Sequence, residues 1–210
     1  MNNTLLSEIS RLGLQPAYYY VMDTNPSSGL PYHNNYHLQQ VCKFALMGAD
    51  FYKLSDMDKR LLAVAAIFHD YDHSGSGKDD DINIKRAVDA FVKFNLDVKK
   101  FGEFSSYFNE EETEVIIDLI KATRYPYINN TETLLQEIIR DSDILQGIFA
   151  DDYINKIVLG IAKENGIPED KMISGQIGFL KSTKFCTDWA TNMYSKELPN
   201  AIKKVEMVIE

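Results

Sequence analysis

Apolar residues recur at three- and four-residue steps over Leu38 to Asp50, Asp58 to Phe68, Ile82 to Asn95, Glu110 to Thr123, Thr131 to Gly147 and Tyr153 to Glu164. That period lays one apolar stripe along each segment and predicts amphipathic helices. No segment alternates apolar and polar residues long enough to predict a strand. Ser55 or Asp56 is placed to cap the second helix, and Thr131 the fifth. Turn-forming residues predict loops at Asn25 to Gly29, Ser74 to Asp81 and Tyr125 to Asn130. No loop is long enough to serve as an interdomain linker, and no repeat appears. The pattern predicts an all-α helical bundle, one domain over residues 1–210.

Composition narrows the function more than the fold. The net charge of −9 argues against a duplex nucleic-acid partner, which needs clustered Lys and Arg. The longest apolar run, Leu61 to Phe68, is far short of the ~20 residues that span a bilayer. Met1 to Gln15 lacks the basic start and apolar stretch of a signal peptide, so a cytoplasmic protein without a membrane partner is expected. Cys42 and Cys186 are expected to be buried, reduced and apolar in behaviour. Tyr18-Tyr19-Tyr20 is expected to pack on the bundle.

The candidate chemistry lies in the histidines. All four fall into two pairs of equal spacing, His33 with His37 and His69 with His73. A gap of four places two side chains on one face of a helix. Along the chain, His37 is expected to start a helix with His33 just before it, and His69-Asp70 to end a helix at the lip of a loop. Asp70 follows His69, and Asp141 and Asp143 lie further on. Imidazoles and carboxylates are the ligands a divalent cation recruits. Asp141 and Asp143 are roughly 200° apart around a helix axis. The apolar positions Leu134, Ile138, Leu145 and Ile148 favour Asp143 as the inward one. In the acidic loop Lys78-Asp79-Asp80-Asp81 a solvated helix cap is the expectation, and Lys78 and Arg86 are expected to face solvent.

His69-Asp70 with a later Asp143 resembles the HD phosphohydrolase superfamily. Tyr32-His33-Asn34-Asn35-Tyr36-His37 is similar to the YHNxxH motif of class I cyclic-nucleotide phosphodiesterases, and His69-Asp70-Tyr71-Asp72-His73-Ser74-Gly75 to their HDxDHPG. Gln176-Ile177-Gly178-Phe179-Leu180, with Trp189 further on, resembles their QxGFI segment. The resemblance implies an HD-domain, phosphodiesterase-like helical bundle holding two divalent metal ions (Zn, Mn or Mg). It implies His37, His69, Asp70 and Asp143 as metal ligands, with Asp70 also touching the second metal. His33 would be the general acid and His73 a second catalytic group orienting the attacking hydroxide. Tyr32, Gln176 and Phe179 would bind substrate, Gln176 at the base edge and Phe179 against its face.

The chain departs from the family in being shorter, in Ser74 and Lys78, and in lacking a Glu-Asn-His-His element near Phe104 to Glu110. The shortened scaffold leaves room for more than a cyclic mononucleotide. The expected function is metal-dependent hydrolysis of the 3′ phosphoester of a cyclic mono- or oligonucleotide, a small-molecule partner. A nucleotidase or nucleoside triphosphate hydrolase on the same site, and a nucleotide-sequestering protein, are the alternatives.

Overall fold

Among the residues described by the computed structural model (2–76, 80–101, 107–127 and 130–209), ten α-helices and two short helical turns occur, and no strand. In chain order these are α1 (Asn2–Arg11), α2 (Gln15–Thr24), a 3₁₀ turn (Pro26–Gly29), α3 (Asn35–Phe51), α4 (Asp56–Phe68) and α5 (Asp80–Phe101). There follow α6 (Glu110–Ala122), α7 (Leu134–Ile148), a π-helical turn (Tyr153–Val158), α8 (Leu159–Asn165), α9 (Glu169–Ser182) and α10 (Asp188–Ile209). The fold is all-α, as the periodicity predicts.

Local chemistry sets the helix starts. Ser55 caps α4 by accepting from the Asp58 N–H. Asn109 with Glu112, and Thr133 with Gln136, form reciprocal capping boxes for α6 and α7. Thr133 therefore starts α7 in place of Thr131, because only Thr133 has a glutamine three residues on. Helices α1, α2, α9 and α10 lie outside the six strongly periodic segments, and α10 carries Pro199 in its interior.

The Leu61 to Phe68 run is the middle of the molecule. Every residue of it is buried, as expected for a helix apolar on all sides. Helices α3 and α6 pack on α4, and α3 also packs on α7. A second core gathers Leu145, Ile148, Tyr153, Leu180, Trp189 and Tyr194 from α7, the π turn, α9 and α10. Helix α7 serves both, giving Ile138 and Ile139 to the first core. Gly48 lets α3, α7 and α10 meet: a Cβ there would lie 2.9 Å from Ile138 Cγ2 and 3.0 Å from Trp189.

His33 precedes α3, and His69 ends α4 with His73 in the loop beyond, as the motif positions predict, so neither pair shares a helix face. Two expectations change. Cys186 is exposed, because it sits in the short segment leading into α10, while Cys42 is buried. Tyr18 is buried and Tyr20 stacks on Phe68 and Tyr71, but Tyr19 is exposed. Among the described residues no helix is long and apolar enough to cross a membrane.

Candidate metal centre

The four histidines pair across the chain. Asn34 accepts from the Tyr36 and His37 N–H groups, which starts α3 and fixes His37 in its first turn. His69 ends α4, and its Nδ1 lies 2.8 Å from the Ala66 carbonyl. Donation there leaves the Nε2 lone pair facing inward. His37 Nε2 and His69 Nε2 are 3.2 Å apart. Asp70 Oδ2 lies 3.0 Å from the first and 3.2 Å from the second. Asp143 Oδ1, from α7, lies 3.2 and 3.6 Å from the same two atoms. Both histidines are buried, and the ligand atoms converge as a metal-binding group.

A cation fits this set. Ligand bonds of about 2.0–2.1 Å in a tetrahedron put donor atoms about 3.3–3.4 Å apart, which is the spacing found. Burial alone would push both imidazoles down and both carboxyls up. The mutual contacts outweigh it: Asp70 and Asp143 raise His37 and His69, which in turn hold the two carboxyls below the ordinary range. Protons and a cation compete for the same point.

Asp141 does not join the centre. It is buried and accepts from the Cys186 N–H at 2.9 Å, the Thr187 N–H at 2.8 Å and the Thr187 hydroxyl at 2.7 Å, tying α7 to the start of α10. Of the two aspartates, Asp143 is the one facing the histidines.

His33 and His73 form the second pair, stacked at 3.6 Å with 20° between their planes. Glu164, from α8, approaches His33 Nδ1 with Oε2 at 2.5 Å, and its Oε1 accepts from the Tyr32 N–H at 2.6 Å and the His33 N–H at 3.0 Å. Gly160, one turn earlier, permits this: a Cβ there would lie 3.1 Å from the Pro31 carbonyl oxygen. Burial pushes the Glu164 carboxyl up, but His33 and the two backbone N–H groups hold it below the ordinary range. His73 is hemmed in, with Nδ1 accepting from the Gly75 N–H at 3.0 Å and Nε2 2.9 Å from the Asn83 amide nitrogen. Burial pushes its imidazole down to about 4. Its ring stacks on that of His33.

His33, His73, Asp70 and Asp143 line a cavity of about 560 Å³. Tyr32, His33, Asp70, His73 and Asp143 form its floor, and Gln176 and Phe179 from α9 stand in its wall. Gln176 is buried and its amide donates to the Tyr153 hydroxyl at 2.5 Å, while Phe179 is half exposed. No Lys or Arg lines the cavity among the described residues. Arg86 instead bonds the carbonyl of Asp72, whose left-handed backbone (φ 58°) turns the chain between Asp70 and His73. Asp80 accepts from the Tyr125 N–H at 2.6 Å at the rim, and Lys78 and Asp79 lie outside the described residues.

Several groups here escape sequence reasoning. Glu164 and Tyr153 carry no local signal that ties them to His33 or Gln176. Gln146 is open to detection, being one turn after Asp143 on the same face of α7. Its amide nitrogen lies 3.2 Å from His37 Nδ1 and 3.2 Å from the Tyr32 hydroxyl, while its Oε1 is buried without a partner. An amide donating to Nδ1 forces the His37 proton onto Nε2, into the centre. Turning the amide puts the orphaned oxygen on an Nδ1–H and frees Nε2 to bind a cation. Gln146→Leu is therefore expected to weaken divalent-metal affinity about 10–100-fold, with Gln146→Glu retaining it. Metal titration checks this, and equal affinities in all three proteins would remove Gln146 from the centre.

A sequence profile of the HD domain matches residues 35–148, more than half of the chain. The matched stretch holds His37, His69, Asp70 and Asp143; His33, Glu164, Gln176 and Phe179 lie outside it. No curated protein matches the chain.

Proposed function

The chain belongs to the HD domain family, generally metal-dependent phosphohydrolases, and from that premise we propose that it hydrolyses the 3′ phosphoester bond of a cyclic nucleotide. The observation that carries this reading is that His33, backed by Glu164, lines one cavity with Asp70 and Asp143 of the His37, His69, Asp70 and Asp143 cluster, with no Lys or Arg in its lining among the described residues. A divalent cation held by the cluster supplies charge neutralisation at the phosphate and activation of water. The chain's own residues do the rest.

Glu164 occupies His33 Nδ1 and fixes the ring by its backbone contacts, so Nε2 is the nitrogen left to carry a proton to the departing 3′ oxygen. Its carboxylate stabilises the protonated ring. His73 keeps that ring flat against the floor. Gln176, oriented by Tyr153, offers hydrogen bonds to a base edge, and Phe179 offers a ring face.

The wall chemistry separates this reading from a nucleoside triphosphate hydrolase. A triphosphate brings several negative charges, for which Lys and Arg are the usual partners. A diester brings one per phosphate, which the cation and His33 can meet. Chromatographic product analysis with manganese or magnesium tests the proposal. Linear nucleotides with 5′ phosphate ends, formed from a cyclic substrate, are the expected product. Orthophosphate or triphosphate released from noncyclic nucleotides alone would overturn it, as would tight binding of cyclic nucleotides without turnover.

A further inference from the structure

Two aromatic groups line the cavity. Phe179 and Tyr153, with Gln176, come from α9 and the π turn that follows α7. Tyr125 and Tyr127 come from the loop after α6. The Tyr127 hydroxyl lies 3.4 Å from the Arg140 carbonyl oxygen and 3.4 Å from Asp143 Oδ2, which places this pair beside the middle of α7. Residues 140 and 148 are about 12 Å apart along a helix axis, with Asp143 between them. Ile144, Gly147 and Ile148 line the wall along that length. Asp70 and Asp143 of the cation-binding cluster thus share one cavity with two separate aromatic groups.

Tyr125 is built as a platform. Its ring is 55% exposed while its backbone N–H is fixed on Asp80 at 2.6 Å. Tyr127 supports it edge to face, with centroids 5.4 Å apart and planes at 81°. Tyr127 is itself held under the Arg140 guanidinium, 4.9 Å from the ring centroid. An exposed aromatic ring on a fixed backbone loses little conformational freedom when a base stacks on it.

Substrate chemistry then discriminates. In a cyclic mononucleotide both ester oxygens of the phosphate belong to one ribose, so a single base flanks the reacting phosphorus. In a cyclic dinucleotide the two ester oxygens belong to different nucleosides, and a base lies on each side. Resting on the phosphodiesterase reading above, we propose that the substrate is a cyclic dinucleotide, with one base on Phe179 and the other on Tyr125. The oxygen of water bonds to phosphorus, the bond from phosphorus to O3′ breaks with its electron pair on oxygen, and His33 protonates that oxygen. The proton lost by the water passes to solvent, from which His33 regains its own, leaving a linear dinucleotide with a 5′ phosphate. A longer single strand does not suit the site, whose walls carry no Lys or Arg among the described residues in a chain of net charge −9.

The test compares kcat/KM for cyclic diadenylate, cyclic diguanylate, 3′,5′-cyclic AMP, 3′,5′-cyclic GMP, the linear dinucleotides and the base-free diester bis(p-nitrophenyl) phosphate. Wild-type enzyme is expected to prefer a cyclic dinucleotide over every cyclic mononucleotide by about tenfold or more, the scale of one added base stack. Tyr125→Ala should lower the ratio of cyclic-dinucleotide to base-free kcat/KM about tenfold, and Tyr125→Phe should restore it. A preference for cyclic mononucleotides, equal cleavage of linear dinucleotides, or a Tyr125→Ala ratio matching wild type would each overturn this inference. Those results, with turnover of bis(p-nitrophenyl) phosphate, leave the phosphodiesterase reading standing. Failure to cleave any diester would overturn both.

Discussion

Asp143→Asn is expected to lower phosphodiester turnover by about 10³-fold or more, the loss corresponding to several kcal/mol of cation-supplied stabilisation. The substitution keeps size and removes the charge opposite His37 Nε2 and His69 Nε2. It should also flatten the response of thermal stability to metal. In the metal-free protein the raised imidazoles contribute stability that is complete below the ordinary histidine range. That contribution is lost as pH rises through their raised values. The lowered carboxyls contribute stability above the ordinary carboxylate range, lost as pH falls through their depressed values. The metal-free centre is therefore most stabilising between those two limits.

A cation must displace the protons that hold the centre together, so its affinity rises with pH. Its contribution to stability follows affinity by mass action. At fixed metal concentration, the rise in Tm on adding manganese or zinc should grow from about pH 6.5 to about pH 8.5 in wild type and stay small in Asp143→Asn. Differential scanning fluorimetry, with metal content measured in parallel, checks both. An Asp143→Asn protein that binds metal like wild type would remove Asp143 from the ligand set.

The residues of this centre are legible in the sequence for a physical reason. Metal chemistry accepts few side-chain types, and all four histidines with Asp70 and Asp143 lie in short motifs. How the histidines pair is not legible from their spacing, although the motif resemblance assigns His37 and His69 to one set. Asn34 caps α3 after His33, and α4 ends at His69 before His73. His37 therefore meets His69, and His33 meets His73. Caps decide this, and a cap acts over about three residues where a periodic stripe acts over about fifteen. Glu164 lies beyond reach of any local argument, since its bonds to residues 32 and 33 span 131 or 132 positions. Asp143 over Asp141 is not readable from the apolar stripe: Asp141 shares the face of Ile138, Leu145 and Ile148 and is the buried one, while Asp143 lies on the other side of α7 and faces the cavity.

The motif order and the helix periods thus constrain different things. Periods place the apolar faces, and so place α7 between the two cores. Motifs supply the donors that α7 presents there. Part of the pocket wall comes from neither, because Tyr125 and Tyr127 belong to a loop with no periodic signature and no motif.

His33→Ala is expected to lower kcat on a cyclic nucleotide by about 10²–10⁴-fold, the usual worth of a positioned general acid. The same substitution should cost far less on bis(p-nitrophenyl) phosphate. A nucleoside 3′ oxygen leaves as a strongly basic alkoxide unless it is protonated, whereas p-nitrophenolate is weakly basic and departs without help. Metal content should be unchanged, since His33 stacks on His73 and bonds Glu164 and is no part of the His37, His69, Asp70 and Asp143 cluster. Glu164→Gln should fall between wild type and His33→Ala. The amide keeps an acceptor for the Tyr32 and His33 N–H groups, so the ring stays placed, but it no longer stabilises the imidazolium. Glu164→Ala, by contrast, strands both N–H groups and should also lower Tm. Equal losses on the two leaving groups would show that His33 acts by shaping the floor and not by protonating the departing oxygen. A retained leaving-group difference in Glu164→Gln, with reduced kcat on the cyclic nucleotide alone, assigns the proton to His33 and its stabilisation to Glu164.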